Sequence, residues 1–142
     1  AAWSDFLIDA RRYQEVVELL VAWESSDSLL LRLAEAEAAL QLPAAARHVQ
    51  MLTDRYAAAR ARGDTTHRAE EARFELRLRK DPVTAVALAR ANYAVQREPR
   101  DARVLLEAAL AAKDPARAQS ARDWLRSSGF EDARMRQLGG MP

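Results

Sequence analysis

Apolar residues recur at helical spacing along almost the whole chain, and no run alternates β-branched with polar residues as a half-buried strand does. Glycine occurs only at positions 63, 129, 139 and 140, so few points interrupt this pattern. Both features predict an all-α protein. Because 142 residues are a usual length for one domain, we predict a single helical domain over residues 1–142.

Short polar and proline-containing breaks predict where the helices end. Asp81-Pro82 and Asp114-Pro115 each place a proline at the first helical position, behind an aspartate that caps the helix. Pro99 is predicted to close a hairpin, Asp101 to cap the following helix, and Gly129 to form a left-handed cap. The predicted hairpins cover about residues 2–24, 28–62, 65–97 and 101–128, and an end helix covers about residues 131–138.

One stretch of the chain has the offsets of a helix–turn–helix repeat of about 34 residues. The matching positions are Phe74, Leu78, Ala87, Ala91, Ala94 and Pro99. Adding 34 to the first four gives the apolar residues Ala108, Ala112, Ala121 and Leu125. In this register Ala87 and Ala91 are the small residues that contact the partner helix.

By these positions the chain resembles the tetratricopeptide repeat family. The resemblance is strong from Arg68 to Leu125, whereas the earlier spacing is irregular, and Glu71 and Glu75 replace residues that the family prefers. From Ala85 onward the chain is also similar to bacterial repeat proteins without an assigned activity. The resemblance implies a right-handed α-solenoid of about four antiparallel hairpins plus a short C-terminal helix, because each repeat buries its apolar face only against its neighbours.

Proteins of this family bind partners in a concave groove that is lined by the first helix of each hairpin. The resemblance assigns this role to Leu31, Glu35, Ala72, Arg73, Leu76, Arg79, Arg103, Leu106 and Leu110. Their mixture of apolar and basic side chains suits a protein or peptide segment with acidic and apolar residues, since arginine binds a carboxylate through two parallel hydrogen bonds. The alternative is that these arginines are solvated helix faces. The leading hypothesis is therefore a protein–protein interaction module or scaffold.

The N-terminal end of the predicted stack lacks an upstream neighbour. In the family's register the first helix lacks about six positions. Trp3, Phe6 and Leu7 therefore form a candidate end interface. Trp23 and Trp124 are interpreted as core or interface residues. The alternative function is a structural or assembly protein that self-associates, as a homodimer through this end or head to tail by charge.

Charge and composition narrow the classes of partner. A net charge of +1 with 30% charged residues argues against a general nucleic-acid binder, which has a strong basic excess. Residues 1–46 contain eight acidic and three basic residues, residues 47–80 five and nine, and residues 81–142 eight and ten. No apolar run approaches the roughly 18 residues that span a bilayer, so we expect a soluble protein without membrane insertion.

The chain begins at Ala1 without an initiator Met or an apolar leader, so we expect a segment of a longer protein or a processed product. The sequence does not distinguish between a location in the bacterial cytoplasm and one in the periplasm. Lysine occurs only at Lys80 and Lys113, and this preference for arginine, with the abundant alanine, indicates a GC-rich coding sequence. The absence of cysteine removes disulfides and thiolate metal sites.

The sequence offers no catalytic constellation. His67 and Glu71 share one helix face, but a third metal ligand at suitable spacing is missing, so His67 is interpreted as a solvated residue in a capping turn. His48 is predicted to be partly buried and neutral. No two glycines have the spacing of a phosphate-binding loop. We therefore predict no catalytic residue, no metal and no cofactor, and we do not predict an enzyme.

Overall fold

All the regular secondary structure in the described part of the chain is helical. The structure is a computed structural model that describes residues 1–141, and it contains no strand within them. The all-α prediction is confirmed for these residues, and Pro142, the last residue of the predicted domain, lies outside them. Residues Ala1–Thr66 form one compact unit, and the chain from His67 onward forms a second.

The first unit consists of two helical hairpins. Its helices are α1 (Ala2–Asp9), α2 (Tyr13–Leu20), α3 (Asp27–Ala39) and α4 (Ala44–Ala61). The helices α1 and α2 pack together, α3 packs against both, and α4 packs against α3. We call α1 and α3, which begin the hairpins, the first helices, and α2 and α4 the second helices.

The helix α3 brings charged side chains into the interior of the first unit. Its residues 30–37 are all buried, and Arg32, Glu35 and Glu37 are among them. Arg32 binds Asp5 of α1 through two parallel hydrogen bonds, with N–O distances of 2.9 and 2.8 Å. The same guanidinium donates to the carbonyl oxygen of Ser28 at 2.8 Å. A partly buried, bidentate ion pair therefore joins the two first helices of this unit.

The second unit is built around one helix, α7. Its elements are α5 (Arg68–Arg77), α6 (Pro82–Tyr93), α7 (Pro99–Ala111), a 3-10 helix (Pro115–Ala118), α8 (Gln119–Ser128) and α9 (Ala133–Leu138). Each of the other elements packs against α7. Leu105 and Ala108 of α7 share a continuous buried cluster with Ala85 of α6, Leu125 of α8 and Met135 of α9. Here α5 and α7 are the first helices, and α6 and α8 are the second helices.

Two of the predicted aspartate caps behave differently from one another. Asp81 caps α6 as predicted, since its Oδ1 accepts a hydrogen bond from the Thr84 amide at 3.0 Å. Asp114 makes no such bond, and instead accepts from the Arg117 guanidinium at 2.8 Å. Because the residues after Asp114 form a 3-10 turn before α8 begins, the prediction of an identical helix start there is wrong.

The start of α7 also differs from its prediction. The helix begins at Pro99, so this proline opens α7 and does not close the preceding hairpin. Asp101 lies in the first turn and is buried, where its Oδ2 accepts from the Glu98 amide at 2.9 Å and its Oδ1 accepts from the Asn92 side chain at 3.0 Å. Asp101 is therefore not the residue before the helix, and it links the end of α6 to the start of α7.

The turns within the hairpins use left-handed residues that are not glycine. Arg11, Gln41, Lys80 and Lys113 have φ angles between 55° and 59°. After α1 the Arg12 amide donates to the Leu7 carbonyl at 2.8 Å, and after α3 the Leu42 amide donates to the Glu37 carbonyl at 2.9 Å. In both turns the amide that follows the left-handed residue bonds back to a carbonyl in the last turn of the helix. This pattern is typical of a Schellman cap, which satisfies carbonyl groups at the helix end. At Gly129 the predicted left-handed cap is confirmed, with φ 65°.

The small-residue contact of α6 lies on a different face from the predicted one. Ala87 and Ala91 are exposed, whereas Ala85 and Ala89 are buried. A shift of two residues turns a side chain by about 200° around a helix, so the repeat register places the wrong face of α6 inward. In the following hairpin, the predicted apolar positions Ala108, Ala121 and Leu125 are indeed buried.

We predict that Ala89→Leu destabilises the protein by about 1–3 kcal/mol, because the buried contact of α6 has no room for a larger side chain. The matched variant Ala87→Leu should change stability by less than about 0.5 kcal/mol, since its side chain points to solvent. Urea unfolding followed by far-UV circular dichroism measures both. Equal destabilisation by the two variants would contradict this packing of α6.

Candidate interaction surfaces

A cluster of charged side chains joins the first helices of the second unit. Glu107 of α7 accepts from Arg77 of α5 through Oε2 at 2.8 Å and from Arg103 of α7 through Oε1 at 2.9 Å. Arg134 of α9 also approaches, with its Nε 3.8 Å from Glu107 Oε1. Three guanidinium groups from three helices therefore surround one carboxylate, which is only 10% exposed.

The ionisation of Glu107 reflects two opposing effects. Burial disfavours its charged form, but Arg77 and then Arg103 stabilise that form through charge and hydrogen bonds, and together they hold the pKa of Glu107 below its ordinary value. The carboxylate is therefore ionised at neutral pH and keeps α5 next to α7.

The residues predicted to line a groove in the second unit divide into two groups. Ala72 and Leu106 belong to its buried cluster, so their side chains have no exposed surface to offer a partner. Arg73, Leu76 and Arg103 are half-buried, whereas Arg79 and Leu110 are exposed. The exposed part of the predicted set therefore consists of Leu110, near the C-terminal end of α7, and Arg79, two residues after the end of α5.

Arg103 does not have the free exposure expected of a groove arginine. Its side chain is 20% exposed and bound to Glu107, so a substitution at this position alters the packing of α7 as well as the surface charge. In the first unit the predicted groove residues Leu31 and Glu35 are both buried within α3. The structure thus leaves Arg79 and Leu110 as the positions where the predicted surface is best tested.

Two aromatic side chains of α1 are stacked and exposed. The rings of Trp3 and Phe6 lie 5.1 Å apart with an angle of 20° between their planes, and the residues are 57% and 53% exposed. Asp5, which contacts α3, lies about 160° around the helix from Trp3. Leu7 differs from its prediction, because it is buried in the core. The accessible end pair therefore consists of Trp3 and Phe6 alone.

The other two tryptophans have different surroundings. Trp124 packs partly against the core cluster of the second unit and contacts Phe130, with ring centres 5.6 Å apart. Trp23 follows α2 and is 53% exposed, so it does not belong to the core. Phe130 folds back on α8 directly after the left-handed cap at Gly129.

A buried histidine lies between charged groups in the first unit, where sequence reasoning anticipated only a partly buried one. His48 of α4 is 2% exposed, and its Nδ1 lies 2.6 Å from Glu37 Oε2 of α3. Its Nε2 lies 3.1 Å from Glu24 Oε1 in the turn before α3, and 2.8 Å from Nη2 of Arg47. The hydrogen bond from Arg47, and next that from His48, lowers the pKa of Glu24 to about 2.

His67 is exposed and occupies the position before α5, consistent with its predicted place in a capping turn. Within residues 1–141, no three side chains of metal-binding type are grouped as a metal site requires. None of the helices in this part of the chain is long and apolar enough to span a membrane.

No family model matches the chain, and no curated protein or solved structure shows significant similarity to it.

We predict that Glu107→Gln destabilises the protein at pH 7 by about 1–3 kcal/mol, because two arginines lose a charged acceptor. A carboxyl whose pKa is lowered by folding contributes stability above its ordinary pKa of about 4.3 and loses it as the pH falls through the folded pKa. The difference in free energy of unfolding between the variant and the unaltered protein should therefore shrink below about pH 4. Chemical unfolding measured over this pH range tests the prediction.

The matched control is Asp123→Asn, which removes an exposed carboxylate of α8 that lies 3.8 Å from Arg126. Its effect at pH 7 should be small, because exposed ion pairs contribute little. The described role of this carboxylate is contradicted if Glu107→Gln does not lower the free energy of unfolding at pH 7. It is also contradicted if the variant lowers that free energy equally at neutral and low pH.

Proposed function

We propose that the chain is a non-enzymatic helical-repeat protein of the tetratricopeptide type that binds an acidic and apolar segment of a partner protein. The observation that supports this most directly is the pairing of first helices within each unit. Asp5 and Arg32 join α1 to α3, and Arg77 and Glu107 join α5 to α7. Adjacent first helices are what a repeat groove is made of, and the right-handed solenoid of four hairpins is part of the same proposal.

The proposed binding surface combines Leu110, near the C-terminal end of α7, with Arg79, which lies two residues after the end of α5. Arg79 and Leu110 supply one cationic and one apolar side chain there, and Leu110 is 59% exposed. The packed helices α5 and α7 fix the backbone at Leu110 and next to Arg79, which lowers the entropic cost of association. Arginine at such a position favours a carboxylate in the partner.

We predict that Arg79→Glu combined with Leu110→Ser weakens binding to an acidic, apolar peptide by about 10- to 100-fold, or roughly 1–3 kcal/mol. Peptides selected from a displayed random library serve as probes, and fluorescence anisotropy measures their affinity. Binding should also weaken with salt, since exposed charges are screened over about 8–10 Å.

The matched control carries Arg90→Glu with Val95→Ser, an exposed arginine of the second helix α6 and an exposed aliphatic residue just after that helix, at the end opposite Arg79. This variant should bind the selected peptides as the unaltered protein does. If both variants lose the same affinity for the peptides, binding occurs on a diffuse surface and not at the proposed one. Selection of basic peptides, or of none, contradicts the proposed partner class.

A second candidate function is self-association through the N-terminal end, and the stacked pair Trp3 and Phe6 is the observation that favours it. Exposed aromatic pairs bury a large apolar area when they contact a second surface. Association of this kind should persist in salt. Head-to-tail association between acidic and basic regions is the charge-based form of the same hypothesis and should be lost in salt.

We predict that Trp3→Ser with Phe6→Ser lowers any concentration-dependent increase in mass while helix content stays unchanged, because neither side chain fills the core. Sedimentation velocity and far-UV circular dichroism measure the two quantities. Val83→Ser with Val95→Ser is the control, since both valines are exposed in the second unit. If the unaltered protein is monomeric at every concentration, the proposal of self-association is wrong.

A further inference from the structure

The ring of His48 lies at the meeting point of three segments in the first unit. Glu37 approaches it from α3, Glu24 from the turn before α3, and Arg47 from α4 itself. Arg47 also binds Glu24 through both terminal nitrogens, at 2.7 and 3.1 Å. Nearby, Arg55 of α4 donates to Asp27 at 2.6 Å and to the carbonyl oxygen of Glu24 at 2.9 Å. The elements α3 and α4 and the turn before α3 therefore each bring charged groups to this region.

The hydrogen on Nδ1 is fixed by its partner. An ionised carboxylate accepts hydrogen bonds but donates none, so Nδ1 must carry the hydrogen that is shared with Glu37. A neutral His48 ring is therefore the Nδ1–H tautomer, and its Nε2 carries a lone pair.

The two neighbours of Nε2 require opposite protonation states. Arg47 has only donors, so its Nη2 at 2.8 Å pairs with a bare Nε2. Glu24 has only acceptors, so its Oε1 at 3.1 Å pairs with an Nε2 that carries hydrogen. One atom cannot satisfy both partners at once, and a single proton decides between them.

We propose that His48 is a proton-operated latch between α4 and the turn before α3. In the neutral state Arg47 bridges Nε2 and Glu24. When the ring takes a second proton, Nε2–H donates to Glu24, and Arg47 withdraws its Nη2 from the ring. Arg47 can move because its side chain is 57% exposed, whereas His48 and Glu37 stay buried. The consequence is an arginine whose position at the surface depends on pH.

Nuclear magnetic resonance of the full chain tests this directly. Ring nitrogens of His48, assigned with His67→Asn, are followed from about pH 8 to about pH 5, where histidines change charge. We expect the Nδ1–H tautomer at high pH, both nitrogens protonated at low pH, and a shift of the Arg47 side-chain signals with the same midpoint. An Nε2–H tautomer, a ring that does not titrate, or Arg47 signals that ignore the ring overturns the proposal.

Two matched variants separate the latch from a general effect of pH. Glu24→Gln removes the carboxylate that holds Arg47 beside the ring through two hydrogen bonds, so the shift of the Arg47 signals with His48 titration should be lost. Glu15→Gln removes an exposed carboxylate of the same unit, which binds Arg12 through two nitrogens at 2.6 and 2.7 Å. This control should keep the coupled shift. Loss of coupling in both variants, or in neither, overturns the proposal.

Discussion

Ion pairs between neighbouring first helices are the interaction on which the rest of this structure depends. Helices as short as α1 and α2, with eight residues each, are unstable alone and persist only through packing. Alanine-rich contacts supply close approach but little to distinguish one neighbour from another. A charged group that is largely shielded from water is severely penalised without its counter-ion. Arg32 needs Asp5 and Glu107 needs Arg77, so these pairs specify which helices lie together.

The sequence predicted the helices well because their breaks contain proline and glycine at positions with a local physical meaning. Asp81-Pro82 and Gly129 act as predicted. The turns at Arg11 and Gln41 carry no such signal, since they adopt left-handed angles without glycine and contain backbone hydrogen bonds that no residue type announces. Helix ends there were located only approximately.

The candidate surfaces were harder to predict, because periodicity does not reveal which charged residues are buried. Arg103 fits a solvated or partner-binding arginine by spacing, yet it is held by Glu107. Ala87 and Ala89 are equally small, and only the packing of α6 distinguishes their faces. The exposure of Trp3 and Phe6 was predicted from the missing upstream neighbour, whereas Leu7, on the same helix, turns inward.

A double-mutant cycle on Arg77→Met and Glu107→Gln tests the central claim most directly. The free energies of unfolding of the two single variants and the double variant isolate the interaction between α5 and α7. We predict a coupling energy of about 1–3 kcal/mol, because the pair is largely desolvated. A coupling below about 0.3 kcal/mol would mean that this ion pair does not hold the first helices together, and would contradict the account.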